Sequence, residues 1–169
     1  MKRAARNGVA ENLQDARALA RMLRVLAEMK KPTIARVQGA ALGGGTGLTA
    51  ACDIAVASTQ AVFATSEVKF GIIPSAISPY VVRAIGARQS YRYFQSAERI
   101  SAERAREIGL VHKVFASENF HASVDQEIAA AARDLAEYQR LTADGKLAEA
   151  GERLQSVKSR LERLARQPK

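Results

Sequence analysis

The chain has 169 residues, of which 47% are apolar, and a formal net charge of +9 at pH 7. This length suits one ordinary domain and excludes two large ones. No apolar run reaches the ~20 residues needed to span a bilayer. The single cysteine, Cys52, excludes an internal disulfide and a cysteine-based zinc cluster. The basic amino terminus is followed by no apolar stretch, so we predict no secretory signal.

The positive charge is concentrated near the amino end of the chain. Residues 1–31 hold eight Lys and Arg against three acidic residues, whereas residues 121–169 hold nine against eight. The amino-terminal segment has no aromatic side chain on which a nucleic-acid base could stack. We therefore predict no specific nucleic-acid partner, and scattered basic residues would serve a polyphosphate ligand equally well.

The first half of the chain alternates helical and strand patterns. Apolar residues recur at helical spacing over residues 10–29, which predicts an amphipathic helix that Pro32 ends. Short apolar and β-branched runs predict strands at 33–37, 54–57 and 61–64. Between the first two strands, the sequence predicts a glycine-rich turn over 39–47 and a helix of small residues over 48–52.

The second half is mostly helical in pattern. Prolines and serines between 74 and 79 predict a break, followed by helices at about 80–85, 88–96 and 101–108 with Gly86 and Gly109 as stops. One more strand is predicted at 110–115. Residues 121–169 predict a helical hairpin that turns at Asp144-Gly145. We interpret this hairpin as a packing module, with partner binding or oligomer formation as the alternative.

The glycine-rich turn is the first candidate functional feature. Residues 32–58 have the sequence PTIARVQGAALGGGTGLTAACDIAVAS. Glycines at a helix amino terminus let a phosphate or an oxyanion approach unpaired backbone N–H groups. The run Gly43-Gly44-Gly45 lacks the Lys-Ser/Thr of a P-loop, and its spacing does not fit the dinucleotide fingerprint. Close helix packing alone would explain these glycines equally well.

The second candidate is Glu67, in the segment FATSEVKFGIIP at residues 63–74. Because it lies between an apolar strand and an apolar loop, we expect its carboxylate to be partly desolvated. Desolvation raises the pKa of a carboxyl group and eases proton transfer near neutral pH. An ordinary surface glutamate is the alternative when this residue is taken alone.

Together, GAALGGGTGLTAACDIAVAS and FATSEVKFGIIP closely resemble the signature of the crotonase (enoyl-CoA hydratase/isomerase) superfamily. The run ISPYVVRAIGARQSYRYFQSAERISAERAREIGLVHKV continues the resemblance, which covers residues 10–120. Within it, IIPSAISPYVVRAIG resembles hydratases of branched acyl-CoAs, such as methylglutaconyl-CoA and carboxygeranoyl-CoA. The resemblance implies an α/β fold: a partial ββα spiral over residues 1–120, followed by an atypical helical tail over 121–169.

The resemblance also implies roles for particular residues. In this family a thioester carbonyl lies in an oxyanion hole, in which Gly44 corresponds to the backbone donor of the glycine run. Glu67 corresponds to the general acid/base. Two-glutamate hydratases carry a second carboxylate where this chain has Gly47. A single carboxylate could still hydrate a double bond, but isomerisation of the double bond becomes a rival.

Five further residues are predicted to bind the substrate. They are Leu42 and Gly43 beside the oxyanion donor, and Ile73, Pro74 and Ile77 in the acyl pocket, where a purely structural role is as well supported. The resemblance implies no metal, and no cofactor except the coenzyme A of the substrate.

The predicted activity is addition of water to an α,β-unsaturated acyl-CoA. The alternatives are a double-bond isomerase, or a non-catalytic fragment that binds CoA thioesters or homologous subunits. Since the family's opening strands and its first oxyanion donor lie before the matched segment, we predict an amino-terminally truncated chain that exposes strand edges and associates. The family forms trimers and hexamers, so a homo-oligomer, a cytoplasmic location and no membrane partner are expected.

Overall fold

The protein is described by a computed structural model that covers residues 8–165. In chain order, the elements are α1 (Val9–Ala27), β1 (Ile34–Val37), β2 (Ala40–Leu42), α2 (Gly44–Ala51), β3 (Ile54–Ser58), β4 (Val62–Ala64), α3 (Ser78–Ser96), β5 (Ile100–Ser101), α4 (Ala102–Glu107), β6 (Lys113–Phe115), α5 (Phe120–Ala143) and α6 (Leu147–Ala165). One turn of 3-10 helix at Glu67–Phe70 follows β4. The predicted α/β class is confirmed. Among these residues, no helix is both long and apolar enough to cross a bilayer.

The strands form two small sheets. In the first, β3 lies between β1 and β6, and all three strands run parallel. In the second, β4 lies between a parallel neighbour, β2, and an antiparallel neighbour, β5. Leu42 and Ala64 are paired at the carboxyl ends of β2 and β4. The segments that follow these two strands therefore start side by side: β2 leads to α2, and β4 leads to the 3-10 turn.

The glycine-rich segment differs from its prediction. Instead of an irregular turn over 39–47, Ala40–Leu42 forms β2, and α2 begins at Gly44 rather than at Leu48. The cause is pairing distant in sequence, because Ala41 lies opposite the fully buried Phe63 of β4. Such pairing overrides the weak strand propensity of alanine. As a result, the amino terminus of α2 lies within the glycine run.

Helix α3 contains the break that the sequence predicts. Gly86 has φ 75° and ψ 161°, so the two predicted helices form one element with a kink. The helix begins at Ser78, earlier than predicted, because Pro79 lies in its first turn. At that position an N–H would have no partner within the helix, so proline is tolerated there. Of the strand predicted at 110–115, only Lys113–Phe115 forms.

The main apolar core lies where α1, α2 and α3 meet the strands. Its most deeply buried large side chains are Leu23, Phe63, Ile77, Val81, Tyr93, Ile100, Leu110 and Val111. A second, smaller cluster joins Val56 of β3 to Phe120 and Val124 of α5. Helices α5 and α6 form the predicted hairpin, with its turn at residues 144–146. This hairpin packs on the first sheet. The division of the chain into a core over residues 1–120 and a tail over 121–169 stays a prediction.

Candidate active site

A cleft of about 580 Å³ lies beside α1, the β2–α2 turn and the segment that follows β4. All the residues predicted to act on or bind the substrate line this cleft: Leu42, Gly43, Gly44, Glu67, Ile73, Pro74 and Ile77. The structure thus brings the two sequence motifs together around one cavity.

The turn at Gly43 and Gly44 lines the cleft, and the two backbone N–H groups differ in whether they are already bonded. Gly43 has φ 53° and ψ −114°, a conformation that residues with a side chain rarely adopt. Its N–H donates to the carbonyl oxygen of Ala64 at 2.7 Å, so this donor is already used. Gly44 is the first residue of α2, where an N–H has no partner within the helix and lies at the positive end of the helix dipole. Gly44 is therefore the donor suited to a carbonyl oxygen in the cleft.

Glu67 lies directly across from this turn. Its Oε1 atom is 3.1 Å from the position that a Cβ on Gly43 would occupy. Its Oε2 atom is buried and has no hydrogen-bond partner among residues 8–165. Burial raises the pKa of the Glu67 carboxyl group, and a hydrogen bond from its own backbone N–H opposes the shift only in part. The desolvation expected from the sequence is confirmed, and it suits this group to give and take protons.

The position of a second carboxylate is closed in this structure. Gly47 is buried in α2, and a Cβ built on it would overlap the Cγ2 methyl group of Ile77 and lie 2.7 Å from its Cβ. Ile77 itself is 1% exposed. A side chain at Gly47 therefore requires Ile77 to move. The resemblance assigns the second carboxylate of two-glutamate hydratases to this position, and here the apolar side chain of Ile77 fills the space beside it.

The acyl side of the cleft has an enclosed part and an open part. Pro74 and Ile77 are buried and form its inner surface, whereas Leu42 and Ile73 are 45% and 78% exposed. Among the lining residues, polar side chains come only from Ser66, Glu67 and Ser75. The cavity therefore fits an apolar chain that ends near one carboxylate and one backbone donor.

Sequence reasoning missed half of the lining. The residues that it did not predict are Ala16, Leu19, Ser66, Phe70, Ile72, Ser75 and Ala76. Ala16 and Leu19 belong to the predicted amphipathic stripe of α1, but its periodicity gave no indication that the stripe faces a cleft. Phe70 and Ile72 lie in the FGIIP segment, and only its apolar character pointed to them.

The predicted absence of a metal is not tested by the structure. Within the part of the chain that is described, no group of three or more His, Cys, Asp or Glu side chains is placed to hold a metal ion. A reaction without metal or separate cofactor stays a prediction.

Two solved structures share this architecture. An enoyl-CoA hydratase from Shewanella pealeana superposes with a TM-score of 0.71 at 44% sequence identity, over 77% of this chain and 48% of that one. A structure from Legionella pneumophila, described as an enoyl-CoA hydratase/isomerase (crotonase), gives a TM-score of 0.75 at 36% identity. That match covers 98% of this chain and 72% of the other. The fold is therefore the crotonase fold.

Sequence comparison agrees with the fold. The family model for enoyl-CoA hydratase/isomerase matches residues 1–159. The 4-chlorobenzoyl coenzyme A dehalogenase-1 of an Arthrobacter species is 34% identical over 106 residues, which are 62% of this chain and 38% of that protein. The chain belongs to the enoyl-CoA hydratase/isomerase family. It spans less than half the length of the curated relative, and the family match extends into the hairpin, beyond the residues 10–120 of the resemblance found in the sequence.

Proposed function

We propose that the chain forms the active site of an enoyl-CoA hydratase, which adds water to the α,β double bond of an unsaturated acyl-CoA. The observation that carries this proposal is the buried carboxylate oxygen of Glu67, which has no hydrogen-bond partner within residues 8–165 and lies in the cleft that Gly44 also lines. A proton-transfer group and an oxyanion donor are the two elements that the reaction requires.

The reaction follows from these two groups. The Gly44 N–H binds the thioester oxygen and polarises the conjugated double bond. Glu67 takes a proton from water as the water oxygen bonds to the β carbon, and negative charge moves onto the thioester oxygen. The protonated Glu67 then returns a proton to the α carbon, which completes the addition of one water molecule. One oxyanion donor typically contributes about 2.7–4 kcal/mol to the transition state.

The acyl group is proposed to be branched. The cleft volume of about 580 Å³ lies within the usual range for small-molecule sites, and Pro74 and Ile77 supply its enclosed apolar surface. The segment IIPSAISPYVVRAIG supports the narrower choice of a methylglutaconyl-CoA-like or carboxygeranoyl-CoA-like substrate. The Arthrobacter relative is named for a coenzyme A thioester, which supports that substrate class. No cofactor besides the coenzyme A of the substrate is proposed.

A double-bond isomerase is the second candidate, and it is favoured because Ile77 leaves no room for a side chain at Gly47. Isomerisation moves one proton from one carbon to another, so a single carboxylate is sufficient. Product analysis separates the two reactions, because hydration yields a 3-hydroxyacyl-CoA and isomerisation leaves the substrate mass unchanged. Non-catalytic binding of CoA thioesters or of homologous subunits is the third candidate.

Association into a homo-oligomer, a trimer or hexamer as in the family, is also proposed. Large apolar side chains at the surface support it, including Val9 at 87% exposure and Phe70 at 57%. A cytoplasmic location is proposed because a chain with one cysteine does not depend on an oxidising compartment.

The proposal is tested by following the loss of enoyl absorbance when the purified chain is mixed with an unsaturated acyl-CoA. The Glu67→Gln variant is expected to lose turnover, because an amide cannot exchange the proton. Glu118→Gln removes an exposed carboxylate outside the cleft and is the matched control. A folded wild-type chain that binds the thioester without turning it over would contradict hydration and favour the non-catalytic candidate.

A further inference from the structure

Thr46 has the most deeply buried hydroxyl group near the candidate active site. Its relative exposure is 0%, and it does not line the cleft. Its Oγ1 atom lies 2.7 Å from the carbonyl oxygen of Ala41 and 3.0 Å from that of Ala64. One hydroxyl proton is thus shared between two carbonyl groups.

These two carbonyl groups belong to the two halves of the site. Ala41 is in β2, directly before the turn that presents Gly44, and Ala64 is the last residue of β4, three residues before Glu67. The carbonyl of Ala64 also accepts the Gly43 N–H at 2.7 Å. The Thr46 hydroxyl and the Gly43 amide therefore converge on the carbonyl group from which the chain continues toward Glu67.

We infer that Thr46 is a positioning residue, whose hydroxyl fixes the separation between the Gly44 N–H and the Glu67 carboxylate. The effect of this positioning on catalysis rests on the proposed function. Both partners must meet one substrate, the donor at the thioester oxygen and the carboxylate near the α and β carbons. A hydrogen bond that joins their two supporting strands controls this spacing without touching the substrate.

The kinetic consequence follows from the buried position of Thr46. Thr46→Val keeps the shape of the side chain but removes its donor, so the two strand ends are expected to move apart slightly. A misplacement of about 1 Å can cost a factor of about 100 in rate. We expect kcat to fall by about 10- to 100-fold and KM to change little, because Thr46 makes no part of the cleft surface. Thr46→Ser restores the hydroxyl and is expected to recover most of kcat.

A purely structural role would give a different pattern. The hydroxyl of Ser58, which is also 0% exposed, donates to the carbonyl of Gln38 at 2.7 Å, outside the cleft. Ser58→Ala therefore removes a comparable buried hydrogen bond. If Thr46→Val loses no more of its kcat than Ser58→Ala does at temperatures where both are folded, the positioning role is overturned.

Amide hydrogen exchange separates this inference from the proposed function, since it needs no turnover. In the full chain, we expect Gly43 N–H exchange to be slow, and to be faster in Thr46→Val than in Thr46→Ser or Ser58→Ala. Unchanged exchange in Thr46→Val would overturn the inference even if the wild type is active. If Thr46→Val does not fold, exchange in the wild type is the test. A Gly43 amide that exchanges as fast as an exposed loop amide would overturn the inference, because its hydrogen bond to the Ala64 carbonyl would then be absent.

Discussion

The carboxylate Oε1 of Glu67 lies 3.1 Å from the place where a Cβ on Gly43 would stand. Real Cβ contacts are seldom this short, and Gly43 also has a positive φ of 53°. Two independent constraints, one from the backbone and one from the acid group, thus favour glycine at this position. The Glu67 carboxylate can approach the turn this closely because Gly43 has no side chain.

Gly43→Ala is predicted to reduce both stability and activity. The backbone conformation alone is expected to cost about 1–3 kcal/mol, and the added methyl group pushes the Glu67 carboxylate away from Gly44. Thermal unfolding measures the first effect, with a decrease of about 2–4 °C in Tm per kcal/mol. Gly44→Ala is the control for stability, because a Cβ at Gly44 meets nothing within 4 Å. Equal unfolding temperatures for the two variants would contradict the geometry of the turn.

Glu67→Gln is predicted to be more stable than the wild type at neutral pH. Burial raises the pKa of Glu67 in the folded state, so the folded chain holds this proton more tightly than the unfolded chain does. The stability from this group is fully present below its unfolded pKa and is lost as pH rises through its folded pKa. The variant's advantage in unfolding free energy is therefore expected at pH 7 and should fade toward the ordinary titration range of glutamate. Urea unfolding across pH measures it, and an advantage that grows as pH falls would contradict this sign.

The same shift predicts the pH dependence of turnover. If unprotonated Glu67 is the base that activates water, the acidic limb of kcat/KM lies above the ordinary pKa of glutamate, because burial raises this pKa. Steady-state rates with an unsaturated acyl-CoA between pH 4 and 8 would locate this limb. A limb at or below the value for a solvated glutamate would show that the carboxyl group is not desolvated in the working site.

Gly47→Glu is predicted to destabilise the chain through its contact with Ile77. Overpacking a buried site typically costs about 1–3 kcal/mol, and Ile77→Ala alone leaves a cavity that costs about 2–5 kcal/mol. In the double variant the new side chain occupies the space that Ile77 leaves. The double variant should therefore lose less stability than the sum of the losses in the two single variants. We expect a favourable coupling of about 0.5–3 kcal/mol in a double-mutant cycle from urea unfolding. Strict additivity would show that the two positions do not compete for the same volume.

The sequence indicated the segments that line the cleft better than it predicted their scaffold. Gly44 and Glu67 were singled out because their two motifs together resemble the crotonase signature, whereas each motif taken alone left a structural alternative open. Strand β2 and the early start of α2 were missed, because both depend on Ala41 meeting Phe63 from a distant strand. The position of Ile77 beside Gly47 was also not predictable from the sequence, because only the folded structure brings these two residues together.

Phe120→Ala is predicted to be strongly destabilising, because Phe120 anchors the α5–α6 hairpin to the first sheet. Its side chain is 1% exposed, packs with Val56 and Val124, and meets the ring of Phe115 edge-on at 6.3 Å between centroids. Removal of a buried phenylalanine typically costs about 3–5 kcal/mol. Phe70→Ala is the matched control, since Phe70 is 57% exposed and the same truncation should cost little.

Urea unfolding of both variants also tests how the hairpin relates to the rest of the chain. A large loss of stability in one cooperative transition would show that α5 and α6 unfold together with the sheet that they cover. If Phe120→Ala instead produced a separate early transition and left the main one unchanged, the hairpin would be an independent unit. That outcome would support the predicted division at residues 120 and 121, whereas equal losses in the two variants would contradict the packing of Phe120 on β3.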